Sequence, residues 1–330
     1  MKALVTGGTG FLGKRLAYRL RDLGWEVTVI GRKDLVGKQL AAQGIRYVSL
    51  DLRHREEVIK VCKDQEAVFH CAARSASWGA YSDFYDSNVK GTEHVIAGCL
   101  RHGVERLIHV SSPSVCFRYT NRLGVTESDA LPKKQASPYA ATKRLAELAI
   151  EKAGAEGLRA LIIRPRAIFG PGDTSILPRI IEANATRGVP MIDGGRALID
   201  LTYIDNVVDA LLLCQCAPEQ VLGRTFHITN GEPMPFVKAA ELLFSKLGMS
   251  LHTKKLSFPA AFAAASVLEG LATWSASQQE PMLTRAVVGM LGRSQTLDIR
   301  AAQLELGYSA KVSIDTGLNA FATWWRNEHA

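Results

Sequence analysis

MKALVTGGTGFLG, residues 1–13, decides how the rest of the chain is read. Residues 2–6 are an apolar run of strand formers, Gly7, Gly8, Thr9 and Gly10 follow at once, and an apolar repeat of helical period occupies 11–23. The order is strand, glycine turn, helix. Residues without side-chain bulk at such a turn let the backbone close on a pyrophosphate, whose charge the unpaired N–H groups and the helix dipole favour. Gly7, Gly10 and Gly13 are spaced GxxGxxG, one residue away from the commonest dinucleotide fingerprint, and with them Thr9, Phe11 and Leu12 become candidate cofactor contacts.

A second strand over 26–30 ends about twenty residues on, where a unit of this kind reads the ribose. Gly31, Arg32 and Lys33 stand there. An acid would accept from the 2′-hydroxyl of NAD, whereas a guanidinium and an ammonium pair with the 2′-phosphate of NADP. Arg32 and Lys33 therefore favour NADP(H), with NAD(H) as the second choice and a solvated basic turn as the bland alternative.

Further along, helix and strand alternate: helix 34–43, strand 45–50, helix 53–63, strand 67–71, helix 84–102, strand 106–111. Such alternation implies a doubly wound parallel sheet, buried on both faces, with ligands at the carboxyl ends of its strands. Asp51 and Leu52 follow the third strand, where Asp51 is either an adenine contact or the N-cap of the next helix. Ala72 and Ala73 follow the fourth and are small enough to let a flat ring pass. Ser112 leaves the strand 106–111. Ser137 and Pro138 suit the N-cap and first position of a helix that carries Tyr139 and Lys143 one turn apart. At that spacing an ammonium would sit beside the phenol and lower its pKa towards that of a useful acid–base, with the Ser112 hydroxyl on the same substrate oxygen.

The 330 residues carry a formal charge of +8 and are 47% hydrophobic and 22% charged, without low-complexity blocks. Disorder is excluded, and the scattered Lys and Arg do not make a nucleic-acid footprint. The six cysteines read as buried thiols, and the histidines form no metal-ligand spacing. A strand from residue 2 leaves no room for a signal peptide, so the cytoplasm is expected. Residues 256–279 contain one charge, Glu269, and form a broad apolar segment; Pro259 and Glu269 speak against a membrane span. A core or pocket-lining helix is the first reading, and peripheral membrane contact the second.

Together, TGGTGFLG at 6–13, Asp51-Leu52, Asn88 in NVKGT, Ser112 and the Tyr139/Lys143 pair resemble the extended short-chain dehydrogenase/reductase superfamily. The resemblance runs over essentially the whole chain, through RPRAIFGPGD at 164–173 and IDLTYIDNVVDA at 199–210. It is densest with the 3β-hydroxysteroid dehydrogenase-like branch, including sterol-4-carboxylate 3-dehydrogenases and bacterial 2-alkyl-3-oxoalkanoate reductases, in SASWGAYSDFYDSNVKGT at 75–92, SSPSV at 111–115, SPYAATK at 137–143, NGEP at 230–233 and EPMLTR at 280–285. Ser112-Pro113 departs from the acidic triad of the superfamily's dehydratases and from the small residue usual in its epimerases.

The resemblance implies a Rossmann domain over 1–165 and a smaller mixed α/β substrate domain over 166–330, with segments returning to the Rossmann sheet. It implies Ser112, Tyr139, Lys143 and Asn88 as the catalytic set, Asn88 supporting a water relay, and a homodimer through the helices carrying Asn88 and Tyr139. The implied reaction is NADPH-dependent reduction of a 2-alkyl-3-oxo acid of hydrocarbon or lipid synthesis. A steroid or sterol-carboxylate dehydrogenase is the nearest alternative; a nucleotide-sugar epimerase and a non-catalytic NADP(H) sensor, in contact with other proteins, are more distant. Arg74 and Arg166 are candidates for the substrate carboxylate, and Trp78 and Ser114 for other substrate contacts. No metal is implied.

Overall fold

The computed structural model describes residues 1–274 and 281–329. Its first part alternates β1 (Lys2–Thr6), α1 (Phe11–Asp22), β2 (Glu26–Gly31), α2 (Asp34–Ala42), β3 (Arg46–Ser49), α3 (Arg55–Val61) and β4 (Ala67–His70). There follow α4 (Tyr81–Phe84), a wide π-helical turn over Tyr85–Lys90, α5 (Gly91–His102), β5 (Arg106–Val110) and, beyond a long loop, α6 (Pro138–Gly154). The expected helix over 84–102 is thus interrupted by the π turn that holds Asn88.

With the strands Ala160–Pro165 and Thr225–Ile228, β1 to β5 form a seven-stranded sheet in which every pair is parallel. Its order is Thr225–Ile228, Ala160–Pro165, β5, β4, β1, β2, β3. The winding reverses at β1, whose neighbours are β2 and β4, and this opens a crevice at the carboxyl edge. Side chains alternate between two cores: Ala3, Val5, Phe69 and Ile108 face one, and Leu4, Val68 and Leu107 the other. Helices cover both faces, which is why these strands are apolar at nearly every position.

A four-stranded sheet in the order Met234–Pro235, Leu198–Ile199, Gln295–Leu297, Arg122–Val125 joins the loop after β5 to later parts of the chain. The apolar segment forms a helix, Phe258–Trp274, packed through Ala261 and Ala265 on Ile192 and Val288, with Glu269 paired to Arg285 at 2.6 Å. Residues 275–279, the end of that segment, and Glu280 of EPMLTR lie outside the described residues. Among the described residues, no helix is long and apolar enough to cross a membrane. All six cysteines are free; Cys216 is exposed and Cys71 partly so, against the expectation of buried thiols throughout.

The glycines at the first turn are set by contact. Gly7 has φ +66°, and a Cβ there would lie 2.7 Å from Ala72 Cα, so β1 and β4 meet backbone to backbone. A Cβ on Gly13 would lie 2.4 Å from the Gly7 carbonyl oxygen, which seats α1 against the turn that precedes it. Gly13→Ala is expected to destabilise the protein by about 2 kcal/mol in urea unfolding. Gly154→Ala, where nothing lies within 4 Å, should stay within about 0.5 kcal/mol of the parent.

Candidate active site

The crevice starts at the N-terminus of α1. Gly10 is the N-cap and no side chain caps the helix, so the N–H groups of Phe11, Leu12 and Gly13 have no partner within the helix itself. Thr9 and Leu12 are buried beside the turn. This bare, glycine-lined helix end fits the pyrophosphate of a dinucleotide.

At the next two strand exits, Arg32 and Lys33 are exposed and Asp51 is partly buried. Asp51 accepts from the Arg53 guanidinium at 2.9 and 3.1 Å, from the Arg53 backbone N–H at 3.0 Å and from Arg32 at 3.5 Å. Hydrogen bonding to Arg53 holds its carboxyl down at about 2. Of the two readings of Asp51, the cap is not formed: α3 begins at Arg55 with His54 at the N-cap, and the Asp51 carboxylate is engaged in the turn before it. Leu52 is buried, and its carbonyl oxygen is bonded to His94 at 2.7 Å. Arg53 is a third cation at this corner, one that the β2 fingerprint alone does not reveal.

Ser137 caps α6 by accepting from the Ala140 N–H at 3.2 Å, with Pro138 at the first position, as the sequence leads one to expect. Ser112 leaves β5 as the N-cap of a short 3₁₀ turn, its hydroxyl accepting from the Ser114 N–H at 3.2 Å. Burial raises the Tyr139 phenol above its ordinary value, and the Ser112 hydroxyl opposes this only in part. Lys143 does not play the part expected from spacing. Its ammonium is 1% exposed and donates to the Val110 carbonyl at 2.7 Å and to His109 Nε2 at 3.0 Å, so its contacts lie with the sheet edge. Burial pushes it down to about 8.

Several other candidates are committed to protein partners. The Asn88 side chain accepts from the Arg74 N–H at 2.7 Å and donates to the Arg74 carbonyl at 3.1 Å and to Thr142 Oγ1 at 3.0 Å. Both amide hydrogens are used, and the side chain clamps the π turn, the β4 exit and α6 together. Arg74 pairs with Asp83 at 3.3 Å and lies over the Phe84 ring, while Arg166 is buried, donating to Gln295 in the field of Asp200. Arg166 is thus closed off from a substrate carboxylate, while the Arg74 side chain remains partly exposed. Ala72 is half-buried and bonded through its N–H to Thr6 at 3.2 Å, Ala73 is exposed, and Trp78 is half-buried on the segment before α4. Ser114 Oγ, two residues after Ser112, is buried with no hydrogen-bond partner among the described residues.

Residues 3–228 match the NAD dependent epimerase/dehydratase family. The chain belongs to this family. A 2-alkyl-3-oxoalkanoate reductase of Stenotrophomonas maltophilia is 34% identical over 323 residues, covering 96% of this chain and 97% of that protein. The sterol-4-alpha-carboxylate 3-dehydrogenase, decarboxylating, of Homo sapiens is 30% identical, covering 96% and 86%. Among solved structures, MoeE5 in complex with UDP-glucuronic acid and NAD superposes with a TM-score of 0.79 at 25% identity, covering 99% of this chain and 100% of that one. Family and relatives bear out the extended short-chain dehydrogenase/reductase resemblance and its 3β-hydroxysteroid dehydrogenase-like branch. The protein is an NAD(P)-dependent oxidoreductase with a Rossmann-like fold.

Within this family fold, one residue missed by sequence reasoning underpins the site. Glu147, one turn beyond Lys143 on α6, is fully buried, accepts from Arg164 at 2.8 Å twice and from Ser111 Oγ at 2.6 Å. The repeat Tyr139, Lys143, Glu147 was the available signal. Burial opposes the Glu147 carboxylate, but Arg164, Ser111 and Arg144 together hold its pKa below 4.5. Its contribution to stability is present above the unfolded-state pKa and lost as pH falls through the folded one. Arg164→Met should cost about 3–5 kcal/mol in urea unfolding at neutral pH, because it strips the main partner from a buried charge. The variant should also lose less stability than the parent on acidification below about pH 4.5, checked by melts across that range.

Proposed function

We propose that the protein reduces the ketone of a 2-alkyl-3-oxoalkanoic acid to the 3-hydroxy acid, reversibly, with NADPH as reductant and Tyr139 as proton donor. The arrangement that carries the reading is Ser112 at the exit of β5 with Tyr139 in the first turn of α6 and Lys143 one turn further on, all at the carboxyl edge of the sheet; burial raises the phenol's pKa and so keeps it protonated. Reduction needs a protonated donor at neutral pH, whereas oxidation needs a phenolate. A bound nicotinamide supplies hydride to the ketone carbon. Ser112 steadies the developing alkoxide, Tyr139 protonates it, and Lys143 holds the nicotinamide ribose with the donor that His109 and Val110 leave unused. Phe11, Leu12 and Gly13 hold the pyrophosphate, and Leu52 borders the adenine. Arg32, Lys33 and Arg53 take the 2′-phosphate of NADP(H), for which an acidic ribose partner on β2 is absent.

The apolar part of the substrate is supported by an aromatic path, Phe117 to Tyr119 to Phe262, each step 5.3 Å between ring centres, from the loop after Ser112 to the Phe258–Trp274 helix. Ser114, with its unpartnered hydroxyl, is a polar contact for the same ligand. In this reading residues 1–165 bind cofactor and 166–330 mainly bind substrate, the strand Thr225–Ile228 being the part that returns to the sheet. Leu100 on α5 and Leu148 on α6 are exposed on packed helices, which supports a homodimer through them.

Tyr139→Phe keeps the ring and removes the proton. Turnover of a synthetic 2-alkyl-3-oxo acid should fall by about 10²–10⁴-fold, with NADPH affinity within about twofold of the parent by fluorescence titration. Near-normal turnover with NADPH bound would overturn the assignment. Arg32→Ala should weaken NADPH by about tenfold and leave NADH nearly unchanged, since one charge-assisted phosphate contact is removed; equal effects on both cofactors would contradict the 2′-phosphate reading.

A further inference from the structure

The strands β4 and β5 carry a pair of buried histidines in register, His70 opposite His109, with ring centres 5.0 Å apart and neither side chain exposed. Their hydrogen bonding differs. Thr92 Oγ1 donates to the Asn88 carbonyl at 2.6 Å, so it takes its other bond, at 3.0 Å, from a proton on His70 Nε2. His70 Nδ1 then accepts from Thr6 Oγ1 at 2.7 Å. His70 is a neutral imidazole filled on both sides, as a structural histidine should be.

His109 is filled on one side. An ammonium has no lone pair, so the 3.0 Å bond from Lys143 puts the lone pair on His109 Nε2 and the proton on Nδ1, which is buried with no partner among the described residues. An orphaned buried donor is kept only where the rest of the group does something its replacement would not. We infer that His109 is a positioning residue for Lys143, accepting its ammonium at Nε2 and so fixing the lysine at the sheet edge with one N–H left for the cofactor ribose. This rests on the role given above to Lys143 and adds the residue that determines it.

The electrostatics around the amine agree. His70 and His109 face Lys143 from the sheet as neutral rings, while Glu147 on its own helix and Cys71 at the β4 exit favour its charge. With desolvation the net effect is downward, which leaves the lysine close to losing its proton near neutrality. Removal of the Nε2 acceptor would strip a buried ammonium of one of its two bonds, and the charge would be lost at lower pH.

The test separates an acceptor from a packing residue. Glutamine can place an amide oxygen where Nε2 lies, asparagine places it nearer Nδ1, and leucine has no acceptor at all. The full chain, labelled at lysine Cε and assigned with Lys143→Met, is titrated by NMR as the parent and as His109→Gln, His109→Asn and His109→Leu. NADPH affinity is measured on each at two pH values either side of the lysine titration. His109→Gln should titrate within about half a unit of the parent and bind NADPH within about threefold. The Asn and Leu variants should titrate about one unit lower or more and lose about tenfold in NADPH affinity at the higher pH. Parent-like titration in all three variants, or equal losses in all three including the Gln variant, would overturn the proposal. Neither readout needs turnover, so failure of the oxo-acid assay would strike the substrate reading and leave this result to stand or fall alone.

Discussion

A lysine ammonium buried to 1% exposure at the edge of a parallel sheet is the constraint on which the site depends. At that burial its charge is carried by the Val110 carbonyl, the His109 ring and the nearby Glu147 carboxylate. Glu147 is itself buried and needs Arg164 and Ser111. Three elements, α6, β5 and the strand Ala160–Pro165, are thereby tied together directly beneath Ser112 and Tyr139. The polar chain is dense because a half-satisfied one would cost more than an apolar core.

The same edge is held at its other end by backbone contact. Gly7 meets Ala72, and Gly13 meets Gly7, at distances that no side chain could tolerate. The glycines close α1 onto β1 and β4 and leave the first-turn N–H groups of α1 bare. Cofactor site and catalytic candidates lie on one sheet edge because strand order reverses at β1 and every strand points the same way.

The order of elements was legible in the sequence because parallel strands covered on both faces leave continuous apolar runs, and glycine, serine and proline mark their ends. Ser137 and Pro138 start α6 as read. Side-chain direction was less legible. Spacing put Tyr139 and Lys143 on one helix, but the lysine found better partners on β5 than the phenol could offer, since a carbonyl and an imidazole accept while a protonated phenol competes poorly. Asp51 was read as an adenine contact or a cap; the salt bridge and backbone bond to Arg53 take the place of the cap. The His70–His109 pair had no local pattern, because parallel register joins residues 39 positions apart through a crossover. Arg74 and Arg166 were placed at the right edge, yet each lies against an acceptor distant in sequence or across a turn.

The proposed function draws on two ends of the crevice: the cations Arg32 and Arg53 around Asp51, and the aromatic contacts Phe117–Tyr119–Phe262 beyond Ser112. The most direct measurement is steady-state cofactor consumption by the purified protein, NADPH against NADH, on a 2-alkyl-3-oxo acid, with a 3β-hydroxysteroid and NAD⁺ assayed beside it. The account predicts turnover of the oxo acid with a clear preference for NADPH. Turnover of the steroid alone, with NAD⁺, would leave the family and the fold intact and contradict both the substrate and the cofactor assigned here.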